Sequence, residues 1–230
     1  MSSPLLAGPA HGTFGLAADH PYELALRDPQ RDVRLHEFGT RAGGSRAASL
    51  EVSRYRGAPD TVDRDILTRT RGGVLDLGCG PGRLVEAAVQ AGRRALGVDV
   101  SATAVALAHE RGLPVLRRSV FDPLPREGSW GTVLLLDGNI GIGGDPTTLI
   151  ERCASLIDAQ GLLVVETHAA ARRDRRFTAR LVDDLGRASL PFAWAEVGAV
   201  ALRRHARQAG LVVSSQWSAG GRAFVALARG

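Results

Sequence analysis

Residues 74–82 read VLDLGCGPG, and 17 positions after Gly82 a lone acid, Asp99, stands in the stretch LGVDVSA. A short apolar run opening into glycines marks a strand–turn–helix unit whose bare backbone can lie against a ligand. The loop is GxGxG, and Arg83 occupies the place where a third glycine would complete the dinucleotide fingerprint GxGxxG. A second acid, Asp76, sits inside the strand itself. A pyrophosphate would be repelled by that carboxylate, whereas a ligand presenting an ammonium or sulfonium would be attracted. Asp99, at the end of the next apolar run, is placed to accept hydrogen bonds from two ribose hydroxyls.

Outward from this loop the chain alternates strand and helix. GRLVEAAVQAG carries apolar residues at 84, 85, 88 and 91, a helical face, and RALGVDV is the second strand. Ser101 is an N-cap for ATAVALAHERG, which closes on Gly112. LPVLRRSV and WGTVLLLD give the third and fourth strands, and Asp145-Pro146 opens a helix carrying Leu149, Ile150, Cys153, Leu156 and Ile157. GLLVVETH is the fifth strand, WAEVGAVALRRHARQAG a further helix, and LVVSSQWS with RAFVALARG a closing hairpin. This grammar predicts an α/β fold, a doubly wound, Rossmann-like sheet with helices on both faces. Ligands in such sheets bind at the carboxyl ends of the strands, which singles out residues 76–82, Asp99, 119–122, 137–141 and 166–168.

The rest of the chain is less regular. Residues 1–20, rich in Gly, Pro, Ala and Ser, read as a mobile arm. PYELALR and APDTVDRDIL are short helical patterns flanking a loop, TRAGGSRAASL, and only weak strand alternation shows in SLEVSRYR. The expected division is an N-terminal arm and helical cap over 1–70 and a ligand-binding domain over 71–230, with a lid inserted at about 169–195.

Composition narrows the chemistry. The 230 residues are 44% hydrophobic and 23% charged, ordinary for a globular chain. All 29 basic residues are arginine, which excludes Schiff-base and pyridoxal phosphate chemistry and Walker-type phosphate loops, each dependent on a lysine. Cys79 and Cys153 lack metal-ligand spacing, so no metal site is expected, and a reducing cytoplasm fits. MSSPLLAGPAHG does not have the make-up of a secretory signal, and no apolar run approaches the roughly 18 residues of a membrane span. The net charge of +5 permits anion binding but does not by itself point to nucleic acid.

VLDLGCGPG, GVDVS, SVFDPLP and WGTVLLLDGN, in this order and spacing, resemble the successive motifs of class I S-adenosylmethionine-dependent methyltransferases of the small-molecule type. The resemblance covers residues 72–168 and implies a seven-stranded sheet with a final antiparallel strand. It implies that Gly78 and Gly80, with the small Cys79 between them, line the methionine moiety, that Asp76 holds its amino group, and that Asp99 grips the ribose. Ser119 and Val120 fall at the adenine edge with Phe121 or Val100 packing the ring; Asp122 is the alternative contact. Asp137, Gly138 and Asn139 fall beside the sulfonium and the acceptor, with Asn139 able to contact either. Tyr55, or Arg54 or Arg56, lies where related enzymes fold a helix over the cofactor and could reach the methionine carboxylate.

The implied cofactor is S-adenosylmethionine, leaving as S-adenosylhomocysteine after in-line displacement onto an O, N or C atom. The Asp/Asn-Pro-Pro-aromatic run of base N-methylation, the double glutamate of protein arginine methylation and the Asp-Asn pair of catechol-type enzymes are all absent. A small-molecule acceptor is therefore the leading reading. An RNA- or protein-directed methyltransferase, a non-catalytic cofactor-binding protein and an NAD(P)-dependent oxidoreductase are the alternatives. An alcohol or phenol acceptor needs a base, for which His168 is the candidate. ARRDRRFTAR reads as a solvated stretch of the lid, and Phe192 and Trp194 as lining for an aromatic or lipidic acceptor.

Overall fold

The computed structural model describes residues 20–28, 30–38 and 47–230; the expected arm lies outside them but for His20. The chain opens with α1 (Pro21–Arg27), β1 (Val33–Glu37), β2 (Ala47–Leu50), α2 (Val52–Arg56) and α3 (Thr61–Thr68). SLEVSRYR is thus a strand end followed by a helix. Asp60 and Asp63 form a reciprocal capping box that fixes where α3 starts.

The expected alternation follows: β3 (Val74–Leu77), α4 (Arg83–Gln90), β4 (Ala95–Asp99), α5 (Ala102–Glu110), β5 (Val115–Arg117) and β6 (Trp130–Leu135). A glycine-rich 3-10 turn, Asn139–Gly144, leads to α6 (Pro146–Leu156) and β7 (Ile157–Thr167). Both predicted caps form: Ser101 accepts from the Ala104 N–H, and Asp145 from those of Thr147 and Thr148.

Beyond β7 the sequence reading needs correction. ARRDRRFTAR is not a solvated run but most of β8 (Asp174–Asp183), and the first part of the expected helix is β9 (Phe192–Val197). Only after Gly198 does α7 (Ala199–Gln208) begin, followed by the hairpin of β10 (Leu211–Ala219) and β11 (Arg222–Arg229). Arginines at 175 and 176 extend to either side of β8 and pair with Glu37 and Asp145, so the charge run suits a strand whose neighbours supply acids. Aromatic Phe192 and Trp194 favour the paired, pleated geometry that β8 offers them.

The main sheet has the order β10-β11-β7-β6-β3-β4-β5, parallel throughout β7-β6-β3-β4-β5, with β11 antiparallel to both its neighbours. This is the doubly wound, seven-stranded sheet that was expected. Period-2 alternation sorts its strands into two cores. Leu75, Leu77, Val133, Leu135, Leu163 and Val165 face α6 and α7, while Val74, Leu134, Leu136, Val164 and Phe224 face α3 and α4.

A second sheet, of order β2-β1-β8-β9, joins the N-terminal segment to the insertion after β7. The region before residue 71 therefore contributes strands as well as helices. Leu35, Leu50, Ala179, Leu181 and Phe192 pack with Tyr22, Leu26 and Ala104, which seats this sheet against α1 and α5. Its last strand, β9, crosses the glycine-rich turn after β6.

Candidate functional site

The carboxyl ends of β3, β4, β6 and β7 open onto a cavity of about 640 Å³, roofed by the second sheet. Most residues singled out for the site from sequence line it: Asp76, Gly78, Cys79, Gly80, Asp99, Val100, Ser119, Val120, Phe121, Asp137, Gly138, Asn139, Tyr55 and His168. Asp122, Arg54 and Arg56 are not among the lining residues.

The glycine loop is held in place by its neighbours. Gly78, Gly80 and Gly82 have φ of +71°, +55° and +89°, a region that disfavours other residues. Asp99 accepts the Gly80 N–H at 2.8 Å through one carboxylate oxygen and the Ser101 N–H at 2.8 Å through the other. Each oxygen keeps a lone pair for a ligand hydroxyl. Burial raises the Asp99 pKa while these backbone hydrogen bonds oppose it. Asn139 donates to the carbonyls of Leu77 and Gly78, both at 2.9 Å, and clasps the loop from the far side. A Cβ on Gly78 would sit 2.7 Å from the Asn139 amide, so the glycine also makes room for that clasp. Both amide hydrogens of Asn139 are thereby committed to the loop, which makes it a positioning residue.

Asp76 is 3% exposed, and no hydrogen bond reaches its carboxylate from the described residues. Burial, then the charge of Asp137, push its pKa up to about 7, against the pull of Arg83. A buried, unpaired acid facing a cavity is a receptor for a cation. Ser119 and Val120 line the cavity, whereas Asp122 turns back to accept the Ser119 N–H at 3.1 Å. The Cys79 thiol is buried and its pKa raised by burial. A Cβ on Gly97 would come within 2.5 Å of its sulfur, so size governs the position.

Sequence reading missed the charged floor of the cavity. Arg83, 3% exposed, pairs with Asp63 and donates to Asp137 at 2.6 Å. Arg54 donates to Asp137 at 2.7 Å, and Arg222 reaches Asp137 at 2.9 Å and Glu166 at 2.8 Å. Glu166 in turn accepts the Asp137 N–H at 2.6 Å, holding a residue whose φ is +54°. Three arginines from α2, α4 and β11 thus fix the acids after β6 and β7. The Tyr55 phenol, partly buried beside Asp137 and Glu166, has its pKa raised, chiefly by desolvation.

His168 lies just past the end of β7, two residues from Glu166. Its Nδ1 accepts the Ala170 N–H at 2.9 Å, which leaves the proton of the neutral ring on Nε2. The ring therefore presents a donor to the cavity rather than a free basic nitrogen. The roof is apolar: Leu35, Leu50, Phe192 and Trp194, the two aromatics edge to face at 5.8 Å.

The sequence profile of a family described as methyltransferase domain matches residues 74–161, the segment that contributes the glycine loop, Asp99 and Asn139. Over that segment, less than half of the chain, the sequence is similar to a methyltransferase domain. No curated protein matches the sequence. Among solved structures, a SAM-dependent methyltransferase from Bacteroides fragilis, in complex with S-adenosyl-L-homocysteine, superposes with a TM-score of 0.72 at 18% identity, over 93% of this chain and 96% of that one. An amino pentose methyltransferase from Micromonospora echinaspora, bound to SAM, gives 0.56 at 17% identity over 77% and 94%. A 1,6-didemethyltoxoflavin-N1-methyltransferase from Burkholderia thailandensis gives 0.51 at 18% over 73% and 75%. At these identities the likeness is one of fold. The matched segment is extended here by β1, β2, β8 and β9, which build the second sheet, and by the closing hairpin of β10 and β11. Among the described residues no helix is long and apolar enough to cross a membrane.

Proposed function

We propose that this protein is an S-adenosylmethionine-dependent methyltransferase acting on a small-molecule acceptor. The observation that carries the reading is the pairing, in one cavity, of Asp99 with a spare lone pair on each oxygen and Asp76, a buried acid with no partner. A ligand with a ribose at one end and a cationic amino acid at the other satisfies both. Gly78, Gly80 and Asp76 would hold the methionine part, Asp99 the ribose, and Ser119, Val120, Phe121 and Val100 the adenine. Tyr55 would cover the methionine end from α2. When bound, S-adenosylmethionine supplies an electrophilic methyl group.

The protein's own part is alignment, since holding nucleophile, carbon and leaving group in line accounts for most of the rate. The Asn139 clasp and the three-arginine floor keep the loops after β3 and β6 in register for that purpose. The fold relatives include enzymes described as acting on an amino pentose and on a toxoflavin precursor, which supports a small acceptor. A cavity of about 640 Å³ beneath a closed roof also suits a small molecule better than a polymer. A cytoplasmic setting fits the two free, buried cysteines.

Two measurements test this. Titration with S-adenosylhomocysteine is expected to raise the melting temperature, and NAD(P) is not; the reverse result would make the protein an oxidoreductase. Labelled S-adenosylmethionine incubated with a metabolite extract is expected to label a low-molecular-mass product rather than RNA or protein.

A further inference from the structure

The cavity holds five carboxylates, and four are accounted for. Asp99 accepts two backbone N–H groups. Asp137 is bound by Arg54, Arg83 and Arg222, and Glu166 by Arg222 and the Asp137 N–H. Asp76 lies beneath the glycine loop, on the side assigned above to the methionine part. The fifth, Glu196 on β9, accepts no hydrogen bond from the described residues. Its contact with Arg173, 3.3 Å from Nε to Oε2, is a charge contact without hydrogen-bond alignment, and both atoms are buried and otherwise unpartnered. Arg175, across the strand pair, also faces it, but is paired with Glu37.

Glu196 stands two residues from Trp194 and four from Phe192, on the strand that roofs the cavity. His168 is its neighbour through the backbone, because the His168 N–H donates to the Val197 carbonyl at 2.8 Å. The other proton acceptors in reach are unavailable. His168 presents Nε2–H, Tyr22 is a buried phenol, Tyr55 a partly buried one whose pKa is raised, and Cys79 is a buried thiol. Of the cationic residues lining the cavity, Arg83 is held by Asp63 and Asp137, and Arg118, beside Ser119 on the side assigned to the adenine, donates to the Pro123 carbonyl at 2.7 Å. The acceptor end thus offers an aromatic wall, a hydrogen-bond donor and a carboxylate that accepts no hydrogen bond from the described residues and whose ion contact with Arg173 is misaligned.

We propose that Glu196 binds the methyl acceptor and takes its proton, and that the acceptor is an amine carried on an aromatic or apolar body. This rests on the methyltransferase reading. The amine binds as the free base, donating an N–H to the Glu196 carboxylate, and its lone pair forms the new C–N bond. The methyl C–S bond breaks with its electron pair left on sulfur, and the proton released from nitrogen goes to the Glu196 carboxylate. The positive charge that grows on nitrogen during transfer faces that carboxylate, which an alcohol or a carboxylate acceptor does not exploit to the same extent.

The test uses the full-length protein saturated with S-adenosylhomocysteine, to which phenethylamine, phenethyl alcohol and phenylacetate are titrated by calorimetry. The amine is expected to bind about ten- to a hundredfold more tightly than the other two, the usual effect of a charge-assisted hydrogen bond. In Glu196→Gln that preference is expected to collapse while S-adenosylhomocysteine affinity stays within about twofold, the effect expected of a site that does not share a partner with the cofactor contacts. Equal binding of the three, tighter binding of alcohol or acid, or a preference that survives Glu196→Gln would overturn the proposal. Should Glu196→Gln fail to fold, the comparison of head groups on the wild-type protein decides alone. Failure of S-adenosylhomocysteine itself to bind would instead remove the methyltransferase reading.

Discussion

Asp76 gives the site a pH dependence whose sign can be worked out. Its pKa of about 7 means the carboxylate is half protonated at neutrality, and a cationic ligand selects the ionised form. Affinity for S-adenosylhomocysteine is therefore expected to fall roughly tenfold per pH unit below 7, with a proton released on binding at pH 6. Calorimetry in two buffers of different ionisation enthalpy reads that proton directly; no release would place the cation elsewhere. For the ligand-free protein the sign is opposite. The folded pKa lies above the unfolded one, so the contribution to stability is complete in acid and is lost as pH rises through about 7. Asp76 and Asp99 were legible in sequence because each directly follows or interrupts an apolar strand. Arg83 was not: against a dinucleotide fingerprint it reads as a missing glycine, yet its partner Asp137 lies 54 residues away.

At the scale of elements, the glycines of the turn after β6 serve the roof as much as the ligand. A Cβ on Gly141 would meet the Ala195 carbonyl and Trp194 ring at 2.5 Å, and one on Gly144 would meet Ala193 at 2.6 Å. Only at Gly138, with φ of +86° and nothing within 4 Å, does the missing side chain face open space. Gly141→Ala is expected to push β9 outward at a cost of about 1–3 kcal/mol, as overpacking does. Hydrogen exchange should then quicken over residues 192–197 and leave β4 unchanged; undiminished protection of β9 would refute the contact. The central sheet was readable from the alternation of strand and helix, because its middle strands β3 and β6 are apolar and buried along their length. The second sheet was not, because β1 pairs with β8 across some 150 residues, Val33 opposite Asp183, and pairing of that range leaves no local mark.

Across the whole molecule, Arg222 ties the closing hairpin to the cavity floor. Removing one member of such a buried ion network leaves uncompensated charges, so Arg222→Met is expected to cost about 3–5 kcal/mol. At roughly 2–4 °C per kcal/mol for a chain of this size, the melting temperature should drop by about ten degrees. A change of only a degree or two in differential scanning calorimetry would show that solvent already screens the network.

The roof over the cavity is woven from two parts of the chain, β1 with β2 and β8 with β9, that meet only in the folded protein. Acceptor preference is therefore a composite trait, and a graft from a relative that exchanges one stretch alone would leave β1 and β8 with mismatched edges. A chimera that changes substrate without losing its lid must transplant both stretches together, and descent with altered specificity must proceed by their concerted change.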